Sequence, residues 1–143
     1  MRLGLPSPFE ELPHTADVGI RARGADLPEV LSRAVLAMAQ LQAGGGAVGA
    51  AGEEVLQARG EDRASLLVDL ARQVLQRFFL SRRLLAAIEI TWVSETALSA
   101  RCWFGPFDPA AHGEGMDVKA VTYARAAVEP GPEGLVATLL FDV

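Results

Sequence analysis

The chain is poor in cysteine, lysine and aromatic residues, and it contains no long apolar run. With Cys102 as the only cysteine, no internal disulfide can form, which favours a reducing compartment. No segment reaches the ~18 uncharged apolar residues of a membrane-spanning helix, and the first residues lack the apolar stretch of a signal peptide. We therefore expect a cytoplasmic protein that makes no membrane contact.

Basic residues are also scarce, since 13 lysines and arginines stand against 18 aspartates and glutamates, for a formal net charge of −5. Proteins that bind DNA or RNA directly normally present a basic face, and this sequence has no dense basic run. From residue 104 onward the only bases are Lys119 and Arg125. The acids of that stretch are Asp108, Glu114, Asp117, Glu129, Glu133 and Asp142. This balance disfavours a DNA or bulk RNA partner and suits the binding of a cation.

What the chain does have is the length and apolar content of one ordinary domain. Its 143 residues are 50% hydrophobic, which is enough to bury a sizeable core, and neither a linker nor a repeat divides residues 1–143. Hydrophobic periodicity predicts helices over 27–41 and 63–81, and strands over 17–23, 48–60, 85–94, 97–104, 118–129 and 135–142. The last strand is apolar on both faces and is expected to be central. This order predicts an α+β domain of two layers, with a largely antiparallel sheet packed against two helices.

The stretch 13–20 (PHTADVGI) is the most distinctive part of the sequence. It places a histidine, a hydroxyl and a carboxylate, from His14, Thr15 and Asp17, at the start of a strand in which apolar and polar residues alternate. A strand holds the side chains at its end rigidly, which suits a functional site. We expect His14 to be packed and to fix the turn together with Thr15, rather than to act as a general base.

The C-terminal pair Asp142 and Val143 is a second candidate site. The Asp142 side chain and the α-carboxylate of Val143 put two oxygen-rich groups side by side at the end of an apolar strand. Hard divalent cations prefer such ligands, and Asp17 would supply a third. Spacing alone favours the simpler alternative, a solvated chain end and a turn-capping Asp17, because the sequence does not by itself bring the two segments together.

Lys119 is the only lysine among the 13 basic residues. Because a lysine ammonium is a compact charge on a flexible stem and not a planar fork, a functional role is one hypothesis; chance under a strong arginine bias is the other. Cys102 lies in a predicted strand and is expected in the core rather than as a nucleophile. His112 lies in the glycine-rich stretch 105–116, where we expect an exposed loop.

Three motifs, in this order along the chain, resemble those of the archease family. Residues 9–20 (FEELPHTADVGI) resemble the family's N-terminal signature, and residues 105–123, from GPFDP to VKAVTY, resemble its second signature. Residues 141–143 (FDV) resemble its C-terminus. Three separated motifs in the right order are far more specific than any one of them, and together they cover nearly the whole chain.

The resemblance implies a partner function. Archeases are accessory proteins of RtcB-type RNA ligases, which join RNA ends in tRNA splicing and RNA repair. They promote attachment of the guanylate of GTP to the ligase and so sustain repeated turnover. For this chain the resemblance implies a divalent metal ion, Ca²⁺ with Mg²⁺ or Mn²⁺ as alternatives, held by Asp17, Asp142 and Val143. It also implies that Lys119 is the functional lysine, that RNA is met only through the ligase, and that the chain is not itself an enzyme.

Ala124 departs from the family pattern, which usually has histidine after the tyrosine of the second signature, so no role of that histidine is carried over. Two other functions remain open. One is a standalone metal-dependent phosphoester hydrolase that uses Asp17 and His14. The other is a chaperone-like interaction module, which a broad apolar surface would indicate. Direct binding of tRNA is disfavoured by the net charge of −5.

Overall fold

Eight strands and two long helices make up the part of the chain that the structure, a computed structural model, describes. It describes residues 1–13, 17–44, 46, 48–112 and 115–143, with the backbone alone at Pro13, Asp17, Ala111 and His112. The helices are α1 (Leu27–Ala43), α2 (Arg63–Ser81) and the short α3 (Pro109–His112). The strands are β1 (Leu3–Gly4), β2 (Glu10–Pro13), β3 (Asp17–Gly24), β4 (Gly52–Arg59), β5 (Arg83–Val93), β6 (Ala97–Pro106), β7 (Ala120–Gly131) and β8 (Gly134–Asp142).

The strands form two four-stranded sheets. The first has the order β1-β5-β6-β4 and the second has the order β2-β3-β8-β7, and all the pairings are antiparallel. The predicted α+β class is confirmed, and β8 is an inner strand, as its apolar sequence predicts. The expectation of one sheet in a two-layer arrangement needs a correction, because the strands are divided between two sheets and each long helix contacts both.

Helix α1 gives the physical reason for two sheets. A helix that lies on one sheet keeps a polar face toward water, whereas α1 is buried around almost its whole circumference between Val30 and Ala39. It packs against β3 and β8 of the second sheet and against β5 of the first. Helix α2 packs against β7 of the second sheet and against β4 and β5 of the first. The main core therefore surrounds the helices and joins the inner faces of both sheets.

Both long helices begin and end at residues with clear capping chemistry. The Asp26 carboxylate accepts a hydrogen bond from the Glu29 N–H at 3.0 Å, and Gly44 ends α1 in the left-handed conformation with φ 62°. Asp62 and Ser65 form a reciprocal capping box at the start of α2. These local signals explain why the predicted helices are confirmed almost to the residue.

Neither α1 nor α2, nor any other helix among the described residues, has the length and apolar character of a membrane-spanning segment.

The glycine-rich segment before β4 lies directly against the end of β6. A Cβ added to Gly105 would lie 1.9 Å from the Gly49 carbonyl oxygen, and the Ala51 N–H donates to the Phe104 carbonyl at 2.8 Å. The two backbones approach too closely for a side chain at Gly105. The packing reason for glycine therefore applies to Gly105, since a Cβ at Gly49 itself would meet no atom within 4 Å.

The stretch expected to be a loop over 105–116 is more ordered than the sequence predicts. Strand β6 continues to Pro106, and α3 follows at Pro109. The Phe107 N–H donates to the Arg82 carbonyl at 2.8 Å, and its ring packs edge-on against Phe78 at 5.4 Å between centroids. These contacts anchor the first half of the stretch to the end of α2. Gly113 and Glu114 lie outside the described residues, as does the side chain of His112.

Candidate functional site

The register of the second sheet brings three distant chain segments to one end. Asp142 in β8 lies directly opposite Asp17 in β3 and, on its other side, directly opposite Ala120 in β7. The Lys119 N–H donates to the Asp142 carbonyl oxygen at 2.8 Å. We call the group formed by Asp17, Lys119, Asp142 and Val143 the acidic edge. The sequence leaves open whether these segments meet, and the strand pairing brings their backbones together.

Buried neighbours hold the backbone of the acidic edge in place. Phe141, immediately before Asp142, is fully buried, and Val118, immediately before Lys119, is fully buried as well. Because side chains alternate along extended chain, these anchors leave Asp142 and Lys119 exposed. The edge therefore presents an aspartate and a lysine to solvent on a rigid support.

Several predicted site residues fall where side chains are not described. His14 and Thr15 lie outside the described residues, and for Asp17 only the backbone is described. Among the described side chains, no three His, Cys, Asp or Glu residues come together as a metal site. The metal-ligand roles of Asp17, Asp142 and Val143, and the turn-fixing roles of His14 and Thr15, therefore stay predictions.

The arginines that follow Asp17 along β3 are used for pairing within the sheet. Arg23 forms a short ion pair with Glu10 of β2, and Arg21 lies 3.8 Å from the same carboxylate. The hydrogen bond from Arg23 holds the pKa of Glu10 below its usual value. These cations are therefore balanced within the sheet. Among the described side chains Lys119, by contrast, forms no ion pair.

Two residues beside the acidic edge were not singled out from the sequence. The Arg72 guanidinium on α2 donates from Nε and Nη2 to the Val121 carbonyl at 3.1 and 3.0 Å, and it lies over the Tyr123 ring at 4.5 Å. Tyr123 is the only tyrosine of the chain and is 55% exposed. The hydrogen bond from Arg72 to Val121 joins positions 49 residues apart, so no local sequence pattern predicts it.

Cys102 is a core residue, as predicted. It is fully buried in β6, and burial raises the pKa of its thiol to about 12. A thiol that remains protonated and inaccessible is not a nucleophile at neutral pH.

The fold and the acidic edge together define an α+β protein in which the starts of β3 and β7 meet the end of β8 at a charged corner of one sheet. The chain belongs to the Archease protein family (MTH1598/TM1083), whose model matches residues 9–143. An archease-like protein of Drosophila melanogaster is 32% identical over 84% of this chain and 79% of its own length. The archease of Saccharolobus islandicus is 27% identical over 94% of this chain and 98% of its own.

A solved structure is also similar to this fold. The solution structure of Methanobacterium thermoautotrophicum protein 1598 superposes with a TM-score of 0.74 at 27% sequence identity. The match covers 94% of this chain and 98% of that chain. The archease family predicted from three motifs is therefore confirmed.

Proposed function

We propose that this protein is an accessory activator of an RtcB-type RNA ligase. It promotes GTP-dependent guanylylation of the ligase and its multiple turnover in tRNA splicing or RNA repair. Membership of the archease family supports an accessory role. The observation that carries the proposal is the register that sets Asp17 opposite Asp142, with Lys119 hydrogen-bonded to the Asp142 backbone.

The residues of the acidic edge suit a divalent cation. Asp17, Asp142 and Val143 would offer oxygen donors only, which is the donor set preferred by Ca²⁺, with Mg²⁺ or Mn²⁺ as alternatives. Asp142 is exposed beside the paired end of β3, so its carboxylate is free to take part. When bound, such an ion supplies positive charge that neutralises phosphate oxygens.

Lys119 would add a second positive charge at the same place. Its ammonium group is exposed, while its backbone N–H is held by Asp142. Charges placed in advance around a reacting phosphoryl group stabilise the charge that develops there. Lys119 would therefore meet the triphosphate of GTP within the ligase, where the protein contributes charge and position and no nucleophile of its own.

The net charge of −5 fits a protein that reaches RNA only through its partner. The single buried cysteine fits a reducing compartment, and we place the protein in the cytoplasm.

Metal binding is tested by calorimetric titration of the protein with CaCl₂, MgCl₂ and MnCl₂. We expect saturable binding of at least one ion, weakened about ten-fold or more by Asp142→Asn, because one anionic ligand is lost. The matched control is Glu133→Gln, which removes an exposed carboxylate at the opposite end of the same sheet. Equal titrations of both variants and the wild type would remove the metal from the proposal.

The activator role is tested by single-turnover guanylylation of the ligase with GTP and Mn²⁺. We expect the protein to accelerate the reaction, Lys119→Ala to abolish most of the acceleration, and Glu133→Gln to leave it intact. Turnover of nucleotide or phosphoester by the protein without ligase would instead support the hydrolase alternative.

A further inference from the structure

A groove runs from the acidic edge along helix α2. One wall is the face of α2 between Arg72 and Phe79, and the other is the start of β7 with the residue before it, from Lys119 to Val121. Its volume is about 460 Å³. Lys119 belongs both to the acidic edge and to the wall of this groove, so the two surfaces are continuous.

The described side chains that line the groove carry more positive than negative charge, with Arg72 and Lys119 against Asp69. Arg72 is held in place by the Val121 carbonyl and by the Tyr123 ring, and neither contact is a carboxylate. Asp69 also lines the groove, but its carboxylate accepts hydrogen bonds from the Arg59 N–H at 2.9 Å and from the side chain of Gln73 at 3.2 Å. Arg72 therefore offers a fixed cation to a ligand.

Beyond Arg72 along α2, the wall of the groove includes an apolar side chain, Phe79. Phe79 is 51% exposed, although it lies on a helix whose other apolar residues are mostly buried. Leu80 beside it is exposed as well. Arginine is among the residue types that dominate binding energy at protein interfaces, and phenylalanine is enriched there.

We infer that this groove docks a segment of the ligase that carries an apolar side chain and a carboxylate. The apolar side chain would pack against Phe79, and the carboxylate would pair with Arg72. Docking along α2 would hold the acidic edge against the ligase's nucleotide site. This inference rests on the proposed function and names the surface through which it operates.

Single-stranded RNA is the rival occupant, because arginine and lysine also bind phosphates, and an aromatic ring such as that of Phe79 can stack on bases. The charge around the groove favours a protein partner. Asp117 is exposed beside Lys119, and the chain carries a net charge of −5, so a phosphate backbone that continues past the groove is repelled. A carboxylate on one protein segment avoids this repulsion, since it places a single negative charge at Arg72.

The test varies the concentration of this protein in the guanylylation assay. We expect Phe79→Ser and Arg72→Gln to raise the concentration that gives half-maximal stimulation about ten-fold or more. The maximal rate at saturation should stay that of the wild type, since the acidic edge is intact. Trp92→Ser is the matched control: Trp92 is 56% exposed on the other sheet, and its loss should change neither quantity. Circular dichroism and the unfolding midpoint establish that each variant is folded.

Each contrary outcome has a distinct meaning. If the wild type stimulates the ligase and both groove variants do so with the same half-maximal concentration, the docking inference is overturned and the proposed function stands. No stimulation by the wild type refutes the proposed function, and the docking inference falls with it. Binding of a ten-nucleotide RNA that is lost in Arg72→Gln, with ligase stimulation unchanged, assigns the groove to nucleic acid and also overturns the inference.

Discussion

Replacing Gly105 with alanine should destabilise the protein, because the new methyl group meets backbone. It would lie 1.9 Å from the Gly49 carbonyl oxygen and 2.9 Å from the carbon of that carbonyl. An ordinary carbon–oxygen contact is about 3.3 Å or longer, so the segment before β4 must move by more than an ångström. Overpacking of this kind costs about 3 kcal/mol at the upper end of its usual range.

A smaller opposing effect comes from the unfolded chain, where alanine has less conformational freedom than glycine and favours folding by about 0.7 kcal/mol. The net loss is about 2 kcal/mol, which lowers the midpoint of thermal unfolding by about 6 °C. Equilibrium urea unfolding measures this loss, and the slope with denaturant should stay constant.

Gly19→Ala is the matched control, because Gly19 also lies inside a strand. Its added methyl would meet the Leu140 Cδ2 atom at 2.6 Å, which is the end of a side chain and can rotate, and the Leu12 Cβ and Leu139 carbonyl oxygen only at 3.2 and 3.4 Å. The rotation costs about 1 kcal/mol, most of which the unfolded-state effect offsets. Losses that agree within about 0.5 kcal/mol in the two variants would refute the reasoning, since that is the usual error of such comparisons.

Two further predictions concern titratable groups. Cys102 should not react with a thiol reagent at pH 8 in the folded protein and should react fully in urea, because it is buried and its pKa is raised to about 12; rapid labelling without denaturant would contradict its place in the core. Glu54→Gln should lower the free energy of unfolding at pH 7, because the hydrogen bond from Arg77 holds the pKa of Glu54 below its ordinary value of 4.5. A lowered folded-state pKa stabilises the protein above the unfolded-state value, and this contribution is lost as the pH falls through the folded-state pKa, so the difference between the wild type and the variant should shrink as the pH falls below 4.5. A difference that stays constant from pH 7 to pH 3 would exclude the ion pair as its cause.

Local signals account for the parts of the fold that the sequence predicts well. Asp26 and Asp62 act as N-caps within three residues of the groups they bind, so the starts of α1 and α2 can be read from short windows. The central place of β8 follows from its two apolar faces. The N-caps follow from neighbouring residues in the chain, and the burial of β8 follows from its continuous apolar run. Both can be recognised in a short stretch of sequence.

The division into two sheets could not be predicted in the same way. The alternating pattern of β3 is the same whether one sheet or two surround the helices, and the pairing is settled by contacts between distant segments. The signal available in the sequence was the apolar character of α1 on every side, since Val30 and Ala34 are apolar as well as Leu31. A helix without a broad polar face needs cover on more than one side.

The acidic edge could be predicted in part from the sequence. Alternation assigns Asp17 to a face of its strand, but only the pairing of β3 and β7 with β8 brings Asp17 and Lys119 to Asp142. The family resemblance predicted that these residues act together, and their backbones are adjacent. No comparable sequence motif pointed to the contact of Arg72 with Val121, so the groove could be identified only from the structure.

The most direct measurement is the single-turnover rate of ligase guanylylation in the presence of Asp17→Ala, compared with the wild type and with Glu133→Gln, each at saturating concentration. The proposed function predicts that the wild type and Glu133→Gln accelerate the reaction equally and that Asp17→Ala, although folded and still bound to the ligase, does not. Full acceleration by Asp17→Ala would contradict the claim that the acidic edge activates the ligase.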